Sequence, residues 1–234
     1  ELLGLTSKDI DYVAVPEEDL LLHVNGDTHL MFETLIQYLD NEGYKIFLTV
    51  PDCYTIRARF PIGHANEGLV ADFVLARKEI GYKEGTREPI VEPGTLYDDL
   101  IRRDFTVNAL AKDPDTGAII DYFNGRTHIK FKMLFPTTDS DTIFTDDPLR
   151  ILRAIRFHIT KDFHISEDIK RKIHQFNYED DFFNKVSEER VREEINKCLK
   201  HDTLKTLKCL EEFVCLRNYI FYKTELRFKC TNEK

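Results

Sequence analysis

The sequence has no apolar run approaching the roughly 20 residues that a membrane-spanning helix needs, so an integral helical membrane protein is not expected. It has no CxxC, no HExxH and no Cys/His cluster at metal-ligand spacing, which argues against zinc. The five cysteines, Cys53, Cys198, Cys209, Cys215 and Cys230, are odd in number and show no paired spacing. That argues against a disulfide framework and points to reduced thiols in a cytosol-like compartment. No secretory signal is visible. Positive charge is not in excess either: 42 acidic residues face 33 Lys and Arg, for a net charge of −9. A globally basic nucleic-acid binder is excluded, and any contact with nucleic acid must use a local patch. The chain starts at Glu1 rather than Met, inside what reads as an element, so we expect further chain before it.

What is present is 234 residues with 42% apolar and 32% charged content, enough for one large domain or two small ones with a packed core. Residues 28–42 read as a helix with Leu30, Leu35, Ile36 and Leu39 on its apolar face and Gly43 as its stop. "YTIRARF" (54–60) alternates like a strand, and "LVADFVLA" (69–76) reads as a more buried one. Residues 80–97 are rich in Gly, Pro and charge and predict a mobile loop. Residues 116–125 hold a short strand between turns. Helices alone follow, at 148–158, 166–176, 187–200 and 203–215. Mixed strands and helices followed by helices predict an α+β or α/β head joined to an all-helical part.

Two features point to chemistry. "KDIDYVAV" (8–15) reads as a strand, and alternation puts Asp9 and Asp11 on one face. Two carboxylates brought to about 4 Å in an intermediate dielectric repel by about 4 kcal/mol, so the arrangement suits a cation. Asp72 lies among apolar residues in the second strand. If that strand neighbours the first, three carboxylates share one cleft, a set of hard oxygen ligands suited to magnesium. Surface acids paired with lysines are the other reading. The second feature is basic. Arg102 and Arg103 sit between Asp99 and Asp104, and "TDDPLRILRAIRF" (145–157) starts a helix at Thr145, Asp146 and Asp147 with Pro148 in its first turn. Arg150, Arg153 and Arg156 then recur every three residues along an otherwise apolar helix. Such guanidiniums suit phosphates and base edges. A salt-bridge net with nearby acids would use them equally well.

Five stretches occur in the order found in one family: "LLGLTSKDIDYVAV", "ADFVLARKE", "DDLIRRDFTVNALAKDPDTGAIIDYFNG", "DDPLRILRAIRF" and "SEERVREE". Together they resemble class II tRNA nucleotidyltransferases, the CCA-adding enzymes, which are close relatives of bacterial poly(A) polymerases. The resemblance implies an α+β nucleotidyltransferase head with a mixed β-sheet and flanking helices at 1–125, then a helical neck and the start of a body at 126–234. It implies transfer of CMP and AMP from CTP and ATP to the 3′ end of tRNA. Asp9 and Asp11 match the metal-binding acids, with Mg²⁺ as the cation, and Asp72 matches a third catalytic acid. Arg103 matches a nucleotide-contacting arginine. Asp147 and Arg150 match the pair that reads the base edge, and Arg153 and Arg156 match further nucleotide-site arginines. Glu189 and Arg190 match a neck motif that is structural. Residues 81–97 match a flexible loop that helps the switch to A addition.

The sequence departs from the family in lacking the glycine-rich turn and following Arg-Asp before "ELLGL", in carrying Asp146 where Glu is usual, and in ending soon after the neck. A poly(A) polymerase-like enzyme is the nearest alternative, although "LTVPDCYTIRARF" lacks the basic stretch those relatives carry. A CC-adding partial enzyme and a non-catalytic RNA- or nucleotide-binding relative are the others. No membrane partner is expected, and the compartment expected is the cytoplasm or an organelle.

Overall fold

A computed structural model describes residues 2–4, 10–82, 89–178 and 186–222. The chain divides into two compact units, 1–101 and 102–234. The head expected from the resemblance ends later, at 125.

The first unit is built on strands β1 (Ile10–Ala14), β2 (Lys45–Val50), β3 (Thr55–Arg59) and β4 (Val70–Leu75), in the order β1-β4-β3-β2. β1 runs parallel to β4, while β3 is antiparallel to both β4 and β2, so the sheet is mixed as expected. Helix α1 (Glu18–His23) follows β1, and α2 (Thr28–Asn41) comes next. The Asp27 carboxylate accepts the N–H groups of His29 and Leu30 and so starts α2. Gly43, at φ 79°, turns the chain out of it, where a side chain would be strained.

The apolar face of α2 agrees with the sequence expectation at Leu35, Ile36 and Leu39 and departs from it at Leu30. Thr28, Met31, Phe32 and Leu39 are buried, whereas Leu30 is 45% exposed. These positions follow the i, i+3, i+4 spacing of a helix lying on a surface. They pack against Ile56, Ala58, Ala71, Phe73 and Leu75, which alternation places on one face of the sheet. Tyr12 stacks on Phe73 with ring centroids 5.2 Å apart.

Of the expected loop at 80–97, residues 83–88 lie outside the described residues, and those on either side are strands. β5 (Arg77–Tyr82) and β6 (Pro89–Pro93) form a two-stranded antiparallel ribbon, followed by α3 (Leu96–Ile101). The prolines stand at the ends of β6, where a missing N–H costs little. The Gly94 N–H donates to the Ala76 carbonyl at 3.0 Å. A Cβ on Gly94 would lie 2.5 Å from the Arg77 carbonyl carbon, so only glycine lets the chain close there.

The second unit opens with a hairpin, β7 (Leu110–Lys112) and β8 (Ile119–Asp121), then α4 (Gly125–Lys130). β9 (Met133–Leu134) pairs in parallel with β10 (His164–Ile165). Between them lie α5 (Ser140–Asp146) and α6 (Leu149–Lys161), and α7 (Glu167–Gln175) follows. The unit continues with α8 (Glu188–His201), α9 (Thr203–Glu212) and α10 (Val214–Tyr222). The residues before Pro148 therefore close a helix of their own, rather than only starting the next. α6 is the hub. Ile151, Leu152, Ala154 and Ile155 are fully buried, and the helix packs against α8, whose Ile195 and Cys198 are buried. No helix among the described residues is long and apolar enough to cross a membrane.

Candidate active site

Two of the three expected acids, Asp11 and Asp72, sit on the sheet face opposite α2. Asp11 on β1 and Asp72 on β4 are direct register partners, so their side chains leave the same face of adjacent strands. This is the neighbour relation the sequence made conditional. Asp11 is exposed and Asp72 half-buried. Asp9 lies outside the described residues, and among those described no group of three or more His, Cys, Asp or Glu converges.

Arg57 on β3 is the group that sequence reasoning missed. It is the register partner of Asp72 on the other side. Its Nε donates to Asp72 Oδ1 and its Nη2 to Asp72 Oδ2, both at 2.7 Å. The bidentate fork fixes the carboxylate plane and balances part of the local negative charge. Asp11, Asp72 and Arg57 thus form one row across three strands. Each Asp72 oxygen keeps a further lone pair, and Asp11 beside it is a hard oxygen ligand, so the residues fit a divalent cation.

The second unit holds the remaining candidates. Pro148 disfavours helical backbone at the residue before it, and Asp147 is extended there, in the break between α5 and α6. Its Oδ1 accepts the Leu149 N–H at 3.2 Å, and its Oδ2 accepts from Arg190 Nη2 on α8, also at 3.2 Å. Arg150 points elsewhere. It donates to the carbonyl oxygens of Ile143 (3.3 Å) and Arg102 (2.6 Å), tying α6 to the segment before the hairpin. The Asp147 and Arg150 side chains therefore have separate partners, and the two residues meet through the backbone, where the Arg150 N–H donates to the Asp147 carbonyl at 3.0 Å.

The next two arginines behave as the salt-bridge reading expects. Arg153 Nε and Nη2 both lie 2.7 Å from Asp104 Oδ2. Asp104 Oδ1 accepts the Phe105 N–H and the Asn108 side-chain amide at 2.8 and 2.9 Å. Arg156 donates through Nε to Glu194 Oε2 at 2.6 Å, and Lys197 reaches Glu194 Oε1 at 2.9 Å. Burial pushes the Glu194 carboxyl up, but the hydrogen bond from Lys197 and the charge of Arg156 outweigh it and hold it below the usual glutamate value. Arg103 donates to the Asn108 carbonyl at 3.2 Å.

Much of the "RRDFTVNA…DYFNG" stretch is structural for the same reason. Asp121 caps α4 by accepting the N–H groups of Gly125 and Arg126 at 2.8 and 3.0 Å. A Cβ on Gly125 would collide with the Thr106 carbonyl oxygen.

The first unit is thus a mixed sheet with an acid-bearing face, followed in sequence by a unit made mostly of helices. Residues 53–135 match the Poly A polymerase head domain family. The tRNA nucleotidyltransferase cca2 of Schizosaccharomyces pombe is 42% identical over 133 residues, 56% of this chain and 27% of that protein. The A-adding tRNA nucleotidyltransferase of Aquifex aeolicus is 40% identical over 123 residues, 50% of this chain and 14% of its own length. The solved structure of the Thermotoga maritima CCA-adding enzyme complexed with tRNA superposes with a TM-score of 0.67 at 26% identity, covering 98% of this chain and 47% of that one. The chain is thus similar to the Poly A polymerase head domain family over residues 53–135 and to CCA-adding enzymes in sequence and fold. It spans less than a third of those two curated relatives and about half of that solved structure. The family generally uses divalent metals.

Proposed function

We propose that this chain is the head and neck portion of a CCA-adding tRNA nucleotidyltransferase. The tRNA 3′-hydroxyl attacks the α-phosphorus of CTP or ATP. The bond between α- and β-phosphates breaks, pyrophosphate leaves, and the hydroxyl proton is released. Residues 1–125 serve as the head and 126–234 as the neck and start of the body. The working compartment is the cytoplasm or an organelle. The observation that carries the reading is the registration of Asp11 with Asp72 on one sheet face.

Each residue has its task. Asp9 and Asp11 would hold Mg²⁺, which supplies charge stabilisation to the reacting phosphates. Asp72, locked by Arg57, keeps a fixed negative charge beside them. Arg103 contacts the nucleotide. Asp147 accepts from the exocyclic amine that cytosine and adenine share, and Arg150 donates to a neighbouring ring acceptor. Uracil and guanine offer carbonyl oxygens at that edge, which a carboxylate repels. Arg153 and Arg156 serve the nucleotide site from their ion pairs, by holding α6 in place.

The test is the full-length protein with tRNA lacking CCA, offered each nucleotide singly and CTP with ATP together. Asp11→Ala should abolish addition of every nucleotide while the fold persists. Asp147→Ala should instead relax the preference for CTP and ATP over UTP and GTP by roughly 5- to 150-fold, the worth of one bidentate base contact. Equal slowing with all four nucleotides by Asp147→Ala would overturn its template role. Long A tails in place of CCA would favour the poly(A) polymerase alternative.

A further inference from the structure

β2 breaks the alternation that the rest of the sheet keeps. Lys45 pairs with Arg59 and Ile46 with Ala58, and then the register shifts so that Leu48 pairs with Arg57. Phe47 is the extra residue of a β-bulge. Ala58 is buried on the α2 side, so Lys45, Arg57 and Arg59 lie on the other side, the face that carries Asp11 and Asp72. The Arg59 guanidinium lies 5.0 Å from the Phe47 ring centroid and the Lys45 ammonium 5.8 Å, so the ring is on that face as well. The bulge therefore places two successive apolar side chains outward. Phe47 is 47% and Leu48 50% exposed. Burial gains nothing from this, and bulges commonly re-aim a side chain near a functional site.

We propose that Phe47, framed by Lys45 and Arg59, is a stacking platform for single-stranded RNA on the acid-bearing face of the sheet. Aromatic faces accept any base, and neighbouring cations neutralise the phosphates that accompany it. Charge complementarity selects this occupant over a protein partner, because the apolar pair is bordered by cations in a chain of net charge −9. Phe47 and Asp11 are separated by about three strand spacings, roughly 14 Å, along one continuous face. The identity of the bound strand as the acceptor 3′ end rests on the nucleotide-transfer reading above. The RNA chemistry of the platform does not. The competing account is that the bulge and Lys45 merely guard the β2 edge against pairing with another sheet. That account explains the bulge and the lysine but not a guanidinium laid over an outward ring.

The experiment measures fluorescence anisotropy of a labelled, unstructured oligoribonucleotide of about eight nucleotides, within the usual single-strand site size. The full chain is used, and a blunt RNA duplex is the comparison. Phe47→Ala should weaken single-strand binding roughly 5- to 150-fold, while duplex binding and the thermal transition stay as in the wild type. Phe47→Leu, which keeps an apolar group without a ring, should repeat the loss, and Phe47→Tyr should restore binding. Lys45→Gln and Arg59→Gln should each reduce the salt slope by about 0.7. Unchanged single-strand affinity in Phe47→Ala and Phe47→Leu would overturn the inference, whether or not those variants alter self-association. Equal weakening for single strand and duplex would overturn the stacking role. Binding is read without nucleotide addition. If the full-length wild type adds no nucleotide but the ring-dependent binding holds, the platform stands and the transfer reading falls. If addition occurs and the binding is independent of Phe47, the reverse is true.

Discussion

Asp104→Ala tests whether Arg153 is a structural residue. Asp104 is 7% exposed and accepts from Phe105, Asn108 and both ends of the Arg153 fork. Removing it leaves the Arg153 guanidinium without its counter-charge and two donors without an acceptor. Breaking a fully buried pair costs about 3–5 kcal/mol, whereas an exposed pair is worth about 0–1 kcal/mol. The Arg153 side chain is 33% exposed, so water can recover part of the loss. We expect about 2–3 kcal/mol between those limits. For a chain of this size each kcal/mol lowers Tm by about 2–4 °C. The variant should therefore melt roughly 4–12 °C below the wild type in a calorimetric scan. Arg153→Met should cost less, because it leaves the Asp104 carboxylate its two N–H donors. The double variant should be less destabilised than the sum of the two. Additivity within about 0.5 kcal/mol would refute the coupling. So would an Arg153→Met variant of unchanged Tm that raises only the KM for nucleotide, which would return Arg153 to direct nucleotide contact.

Three further outcomes follow from the second unit. Arg190→Ala in the full-length protein should relax nucleotide selectivity in the same direction as Asp147→Ala but less, and Arg190→Lys should recover part of it. Because Arg190 is half exposed, stability should change by no more than about 1 kcal/mol, and unchanged selectivity would mean that the Leu149 N–H alone fixes Asp147. Glu194 is held below its ordinary value of 4.5 in the fold, so its contribution is present above that pH and lost as pH falls through the lower folded value. Glu194→Gln should thus be less stable than wild type at neutral pH, with the gap closing below about pH 4.5, and a pH-independent gap in denaturant titrations would refute this. Burial pushes the Cys198 thiol up to about 11 and the Cys209 thiol up to about 12, whereas Cys215 is exposed. Alkylation near neutral pH, read by mass spectrometry, should label Cys215 well before the other two, and equal labelling of all three in the folded chain would contradict their burial.

The sequence singled out Asp72 because an aspartate in an apolar strand needs a reason, and the register of β1 with β4 supplies the meeting with Asp11 that was conditional there. It could not show Arg57, whose meaning depends on cross-strand register with a residue 15 positions away. β2 escaped notice because the bulge at Phe47 destroys the period of two that marks a strand. The ribbon looked like a loop because its glycine and prolines are also the residues of loops. The arginine stripe was legible as a pattern and ambiguous as chemistry. Its partners, Asp104 and Glu194, lie 49 and 38 residues from Arg153 and Arg156, and no local spacing announces them. The apolar face of α2 was legible at Leu35, Ile36 and Leu39, while Leu30 lies at its boundary and is exposed.

Gly94 and Ala76 meet where the β5–β6 ribbon leaves the sheet and where it returns. Among the described residues the β5–β6 ribbon pairs with no strand of the four-stranded sheet, and it is held further by the Thr28 hydroxyl donating to the Val91 carbonyl and Arg77 donating to the Cys53 carbonyl. Neither the β1–β4 register nor the Asp72–Arg57 fork passes through it. Changes at ribbon positions other than Arg77 and Val91, which touch the rest of the unit, leave the hydrogen bonds of the acid face in place. The piece most open to evolutionary revision is thereby separated from the piece that must stay fixed. The constraint falls instead on the clasp: one glycine whose replacement would force apart the two crossing backbones.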